Sequence, residues 1–178
     1  MTSTTNPSHF HLAGLSALTP KDIEFIPAGQ GLKVLCLQGG ETYPFQEIAQ
    51  PIFTDILNKY NSDKGARRFI KSMRKSNGLP YTTTEQVEIY VFYMWGAIDG
   101  EPDIKNGQLQ PSENYITGED CPSLQFDHKK ITINGAVMRS RDLKIILMFS
   151  ADVPNKAIAD ELGISIKTLE GYLTGLSR

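Results

Sequence analysis

A run of basic side chains between residues 64 and 75 is the densest group of charged residues in the sequence. The segment KGARRFIKSMRK contains no acid, and its cations are Lys64, Arg67, Arg68, Lys71, Arg74 and Lys75. On a helix, Arg67, Lys71 and Arg74 recur at i, i+4 and i+7 and therefore share a face. Such a face can bind about three or four phosphates, or an acidic partner. An ordinary solvated helix surface explains the same pattern equally well.

Acidic residues near position 100 raise the question of a metal site. Asp99, Glu101 and Asp103 have the spacing that begins an EF-hand calcium loop, but Ile104 stands where that loop needs glycine, and no glutamate occupies the twelfth position. Zinc requires four nitrogen or sulfur ligands, and Cys121 and His128 have no second pair beside them. We therefore expect neither a metal nor a cofactor.

Residue groupings typical of catalysis are absent from the sequence. Gly29, Gly31, Gly39 and Gly40 flank an apolar segment without the spacing of a phosphate-binding loop. No serine, histidine and aspartate combination stands out as a nucleophile with its base. The sequence predicts a protein without catalytic residues.

Length and composition limit the class of protein further. The chain has 178 residues, of which 40% are hydrophobic, and a formal net charge of -2. This size and apolar fraction favour one folded domain or two small ones over disorder. No apolar run is long enough for a transmembrane helix and no secretory signal is evident, so we expect a cytoplasmic protein without membrane contact. Because the net charge is slightly negative, affinity for nucleic acid must come from a local patch.

The pattern along the chain predicts an α+β fold that is mostly helical. The N-terminal domain (residues 21–123) contains a short strand at Leu32–Gln38 and helices near 45–60, 63–76 and 84–98. In the third helix, Thr82 and Glu85 have capping-box spacing, and the apolar residues form one stripe. The remaining predicted segments are a flexible arm (1–20), a long acidic loop (99–123), a hairpin linker (124–137) with a turn at Asn134–Gly135, and a C-terminal unit (138–178).

The C-terminal unit reads as three short helices with clear boundary signals. They are predicted at 142–150, 156–162 and 166–176. Gly163 follows the second helix where a left-handed residue is needed, and Ser165 can cap the third. Two short helices joined by such a turn have helix-turn-helix geometry.

The segment NKAIADELGISIKTLEGYL resembles the helix-turn-helix of the LuxR/FixJ-type bacterial transcription regulators. The residues in matching places are Asn155, Lys156, Ile158, Ala159, Leu162, Gly163, Ile164, Ser165, Thr168 and Leu169. The resemblance implies a DNA-binding regulator of bacterial or phage origin, with the helix 166–176 in the major groove. Residues that it implies for contact with double-stranded DNA are Lys156, Ser165, Lys167, Thr168 and Tyr172.

Departures from the family pattern keep a second interpretation open. Glu170 stands where the recognition helix commonly carries a basic residue, and Gly171 follows it. In this family a fourth helix pairs the subunits, and the sequence up to Arg178 has no counterpart of that helix. We therefore expect self-association through residues 1–120. In the alternative, the helix-turn-helix is a protein-docking module of a larger assembly, such as a phage particle, and the protein resides in a virion.

Overall fold

The computed structural model describes residues 21–29, 31–118, 120–133, 136–138 and 140–176. Within these ranges, six α-helices are combined with small antiparallel sheets, which is the α+β class expected from the sequence. The predicted arm (1–20) and the predicted turn at Asn134–Gly135 lie outside the described residues. In the described part of the chain, no helix has the length and apolar character needed to cross a bilayer.

A three-stranded antiparallel sheet begins the described chain. It consists of β1 (Glu24–Pro27), β2 (Val34–Gln38) and β3 (Glu41–Pro44), in that spatial order. The strand predicted at Leu32–Gln38 is confirmed as β2, whereas β1 and β3 were not predicted because each has only four residues and gives no clear alternation. Gly39 and Gly40 have φ values of 60° and 86°, which the tight turn between β2 and β3 requires.

Helix α1 spans Gln50–Ser62. Pro51 lies in its first turn, where the missing amide removes no helical hydrogen bond, so the predicted helix start at this proline is confirmed. Residues 45–47 form a separate 3-10 turn and are not part of the helix. Ile56 and Tyr60, one turn apart, point into the core.

Helix α2 spans Lys64–Ser72 and is shorter than the predicted helix at 63–76. Asp63 precedes it and accepts a hydrogen bond from the Ala66 amide at 2.8 Å, which caps the first turn. The helix stops because Met73 takes up extended backbone, with φ −67° and ψ 151°. The cations after Met73 are therefore not on the helix.

Helix α3 spans Thr83–Trp95 and runs through the centre of the core. The predicted capping box is confirmed: the Thr82 amide donates to the Glu85 carboxylate at 2.8 Å, and the Glu85 amide donates to the Thr82 hydroxyl. The predicted single stripe is wrong, because every residue from 87 to 95 is buried. Ile98, predicted as the end of the stripe, lies beyond the helix and is 58% exposed.

The main hydrophobic cluster joins the sheet to α1, α2 and α3. Its centre is aromatic: the Tyr90 ring lies 5.5 Å from Tyr60 and 5.9 Å from Trp95, between centroids. Aromatic pairs at such distances add to the free energy of burial. Cys36 and Cys121 are buried here as free thiols.

The region predicted as a continuous acidic loop (99–123) contains a small hairpin. Its strands are β4 (Ile104–Lys105) and β5 (Gln108–Leu109). Ile104 is fully buried and exchanges two backbone hydrogen bonds of 2.9 Å with Ile23. The segment is thus anchored in the core, a long-range contact that composition cannot indicate.

The predicted hairpin linker (124–137) is present in shorter form. Strand β6 (Ile131–Ile133) pairs antiparallel with β7 (Ala136–Met138). Residues 122–125 form a 3-10 turn, and so the strands occupy only the end of the predicted segment.

Three helices end the described chain and surround a second hydrophobic cluster. They are α4 (Ser140–Ser150), α5 (Asn155–Leu162) and α6 (Ile166–Leu176). The buried members of the cluster are Ile145, Ile158, Ala159 and Leu169, one or two from each helix. The predicted bounds of α6 agree with the structure, and α4 and α5 begin slightly earlier than predicted.

Candidate functional site

The turn between α5 and α6 depends on one left-handed residue. Gly163 has φ 61°, and its amide donates to the Asp160 carbonyl at 3.2 Å while the Ile164 amide donates to Ala159 at 3.0 Å. These bonds satisfy the last carbonyls of α5 and reverse the chain direction. The predicted role of Gly163 as the terminator of α5 is confirmed.

The first turn of α6 presents three of the predicted DNA contacts at the surface. Ser165, Lys167 and Thr168 are all exposed. The Thr168 amide donates to the Ser165 hydroxyl at 3.1 Å, so Ser165 is the predicted helix cap, and the two hydroxyls lie 2.8 Å apart. Lys167 projects from the same turn.

The other two predicted contacts are in different environments. Lys156 is exposed in the first turn of α5. Tyr172 is partly buried against the second cluster, and its hydroxyl accepts a hydrogen bond from Arg141 at 3.2 Å. The Arg141 guanidinium also lies 6.0 Å from the centre of the Tyr172 ring. Tyr172 therefore connects α6 to α4.

The exposed surface of α6 also carries features that do not favour an anionic ligand. Glu170 is exposed next to the capped turn, and Ile166 is 44% exposed although it is a large apolar residue. Gly171 follows within the helix, where a methyl group would meet no atom within 4 Å. The surface thus mixes cationic, anionic and apolar groups.

The basic run at 64–75 is divided by the end of α2. Lys64, Arg67, Arg68 and Lys71 lie on the helix and line a shallow depression of about 280 Å³. Arg74 lies beyond the helix and donates to the carbonyls of Lys71 and Met73. The predicted face shared by Arg67, Lys71 and Arg74 is therefore wrong.

Lys75, the last cation of this run, is also engaged. Its ammonium lies 2.7 Å from the Glu85 carboxylate and 5.7 Å from the centre of the Tyr81 ring. This pair links the segment after α2 to the first turn of α3. We call the four helical cations Lys64, Arg67, Arg68 and Lys71 the α2 basic face; it is smaller than the run that the sequence suggests.

A serine and a histidine come together at the end of α1. Ser62 Oγ lies 2.9 Å from Nε2 of His128, a pairing that no sequence pattern indicates. When the Ser62 hydroxyl donates its single proton to the Lys59 carbonyl at 2.8 Å, it accepts from the imidazole. A nucleophilic serine needs the opposite polarity, with the hydroxyl donating to the histidine.

Acidic side chains distant in sequence converge beside the β4–β5 hairpin. Carboxylate oxygens of Glu24, Asp99 and Glu113 all lie within 4.8 Å of one another. Asp103 adjoins them, and its Oδ2 accepts the Phe25 amide at 2.7 Å. Asp99, Asp103 and Glu113 line a cavity of about 180 Å³.

Burial and mutual repulsion shift the acidities of this cluster. Burial, with repulsion from Asp99 and Glu113, raises the pKa of Glu24 to about 7, although the amides of Gly100 and Asp99 lower it in part. Burial and the Glu113 charge likewise raise the pKa of Asp103. These directions mark a site where negative charge is costly without a counter-charge. The sequence places Asp99 in a partial EF-hand spacing, but it contains no signal that brings Glu24 and Glu113 to the same site.

In comparisons with known proteins, no family model, no curated protein and no solved structure matches this chain.

Proposed function

We propose that this chain is a non-enzymatic DNA-binding protein that acts as a small transcription regulator, with residues 138–178 as a helix-turn-helix unit. The observation that carries this proposal is the capped, solvent-facing first turn of α6, which follows the left-handed turn at Gly163. A helix N-terminus attracts phosphate oxygens, and its first side chains reach base edges when it enters the major groove.

The packing of α5 and α6 supports this assignment physically. Ile158 and Ala159 of α5 and Leu169 of α6 are buried in the second cluster, whereas Lys167 and Thr168 remain outside it. Ala159 is small where α5 contributes to the joint core. One side of α6 thus serves packing while its first turn stays open to a ligand.

Each predicted contact receives a distinct role in the proposed complex. Lys167 and Thr168 contact phosphates or base edges, and Lys156 contacts a phosphate from the start of α5. Ser165 holds the α6 terminus in shape through its cap. Tyr172 supports α6 through Arg141 and does not itself read the sequence.

The α2 basic face supplies affinity that does not depend on sequence. Lys64, Arg68 and Lys71 are exposed there, and Arg67 is partly so. Cations of this kind bind DNA by releasing counterions from phosphates, which makes the affinity fall with salt. Arg67, Arg74 and Lys75 contribute less, because their side chains already have protein partners.

A protein-docking role is the second candidate. It is favoured by the exposed apolar side chains of Ile166 and Phe149, which are 44% and 54% exposed, and by the charge of Glu170. Apolar surface and an acid suit a protein partner better than a phosphate backbone. The following experiment separates the two roles.

The test is fluorescence anisotropy of the full-length protein on random-sequence duplex DNA at roughly 50 and 200 mM salt. If the protein binds DNA, we expect a dissociation constant of about 1 μM at the lower salt concentration and the loss of most of that affinity at the higher one. Glu170→Lys should strengthen binding by removing repulsion, and Glu47→Lys, an exposed site far along the chain from α6, reports the effect of added charge alone. No binding at tens of micromolar, or equal effects of the two substitutions, contradicts the proposal.

A further inference from the structure

The acidic cluster beside the β4–β5 hairpin contains a fully buried carboxylate. Glu24 is 0% exposed, and neither of its carboxylate oxygens accepts a hydrogen bond of good geometry, although the amides of Gly100 and Asp99 lie close enough to lower in part its pKa, which burial raises. Oε1 of Glu113 is also buried and unpartnered. Buried polar atoms are nearly always paired, because leaving one unpaired costs free energy. Glu24 faces Asp99 and Glu113 across the cluster, so its oxygens and theirs point to a common ligand.

Two of the three carboxylates are held in position by backbone amides. The Ala97 amide donates to Glu113 Oε2 at 2.7 Å, and the Glu101 amide donates to Asp99 Oδ1 at 2.8 Å. Each of these bonds orients one carboxylate, and Glu113 also interacts with the Asp103 side chain, which lowers in part the pKa of Glu113 that burial raises. Glu24 is fixed differently, since it lies on β1 in the sheet.

Protein cations offset the charge of this cluster only in part: in the described residues, Lys105 lines the adjoining cavity, and the Lys129 charge partly opposes the burial that raises the pKa of Glu113. No lysine or arginine there forms an ion pair with Glu24, Asp99 or Glu113. The buried Lys129 ammonium interacts electrostatically with Glu113, but its hydrogen bonds go to the carbonyls of Tyr93 and Met94. The remaining negative charge requires a counter-ion or protons.

We propose that Glu24, Asp99 and Glu113 bind a calcium ion. Calcium takes several oxygen ligands at about 2.3–2.6 Å in flexible geometry, so three carboxylates with oxygens within 4.8 Å of one another can share one ion. Magnesium demands near-octahedral geometry and usually keeps several of its waters beside one or two carboxylates, so three protein carboxylates suit calcium better. The adjoining cavity of about 180 Å³ has room for waters that complete the coordination. This site is independent of DNA binding.

Calcium would connect three separate parts of the N-terminal fold. Glu24 belongs to β1, Asp99 follows α3, and Glu113 follows β5. A ligand that binds the folded state and not the unfolded chain raises the unfolding temperature. The site therefore predicts that calcium stabilises the main hydrophobic cluster against unfolding.

Trp95 provides a local probe for the ion. It is the one tryptophan of the sequence, and its indole donates to the carbonyls of Gln110 and Pro111 at 3.2 and 3.0 Å. Both of those residues line the cavity. Terbium(III), which replaces calcium in oxygen sites, should thus emit when Trp95 is excited.

The experiment measures the full-length protein after treatment with EDTA, with and without about 1 mM calcium chloride. We expect an increase of about 5 °C in the unfolding temperature, given a dissociation constant roughly a hundredfold below that concentration. Terbium(III) luminescence excited through Trp95 should appear and be displaced by calcium. Glu24→Gln, which preserves shape, should abolish both effects, whereas Glu47→Gln, at an exposed acid, should leave both unchanged.

A second variant protects the test against misfolding of the first. Asp99 is exposed, so Asp99→Asn should fold and still weaken calcium binding at least about tenfold. The proposal is overturned if calcium leaves the wild-type unfolding temperature unchanged and no sensitised emission appears. It is equally overturned if Glu24→Gln or Asp99→Asn binds calcium as tightly as the wild type.

Discussion

The backbone amide of His128 donates to Oδ2 of Asp63 at 3.0 Å, although sixty-five residues separate them along the chain. The same buried carboxylate accepts the amides of Ala66 and Asp127 at 2.8 and 3.0 Å, and the Tyr90 hydroxyl at 3.4 Å. Asp63 thereby fixes the start of α2, and with it the α2 basic face, against the segment that follows residue 125.

Replacement of the Asp63 carboxylate by an amide should destabilise the main hydrophobic cluster. In Asp63→Asn, an NH₂ group faces backbone amides that also donate, so we expect a loss of about 3 kcal/mol in unfolding free energy. Urea unfolding followed by Trp95 fluorescence measures it. Asp55→Asn, on the exposed side of α1, should change stability by less than about 0.5 kcal/mol. Equal losses in the two variants would refute the role of Asp63.

Two glycines near the candidate site should respond to alanine in opposite directions. At Gly163, φ is 61° and no atom lies within 4 Å of an added methyl, so Gly163→Ala costs only backbone strain, about 1 kcal/mol. At Gly171, within α6 and also in open space, alanine should stabilise by about 0.5–1 kcal/mol. Amide hydrogen exchange in α5 and α6 measures both. A stabilising Gly163→Ala would contradict the left-handed turn.

Acid should weaken the link between Lys75 and Glu85. The Lys75 ammonium, together with the Thr82 amide and hydroxyl, lowers the pKa of Glu85 from 4.5 to about 2. Because the folded state has the lower pKa, this carboxylate stabilises fully above pH 4.5 and loses its contribution as the pH falls through about 2. The difference in unfolding free energy between the wild type and Glu85→Gln should thus be constant above pH 4.5 and shrink as the pH falls from 4.5 to about 2. A difference that grows in acid would contradict this account.

The two parts of the basic run should contribute unequally to DNA binding. Each phosphate contact that is lost lowers the slope of log affinity against log salt by about 0.9, so Arg68→Ala with Lys71→Ala should lower it by up to about 1.8. Arg74→Ala with Lys75→Ala removes the same formal charge from side chains that have protein partners, and should lower the slope by less than half as much. Anisotropy over a range of salt concentrations compares them. Equal slopes for the two double variants would remove the α2 basic face from the proposal.

Local signals and long-range contacts differ in how well the sequence predicts them. Gly163 as a helix terminator, Ser165 as a cap and the Thr82–Glu85 box are visible in sequence because each involves residues within one turn. The Lys75–Glu85 pair, the Asp63 contacts and the acidic cluster depend on how distant segments pack. Glu24 lies in β1, a strand of only four residues that shows no recognisable sequence pattern.

The central claim, that α6 reads DNA sequence in the major groove, is tested most directly by selection from randomised duplexes. The affinity for the selected duplex is compared with that for a scrambled one, in the wild type and in the Lys167→Ala, Thr168→Ala double variant. We expect the wild type to prefer its selected site by about 10³-fold or more, and the double variant to lose most of that preference while it retains salt-dependent binding. Failure of any sequence to be enriched, or an undiminished preference in the double variant, would contradict the claim.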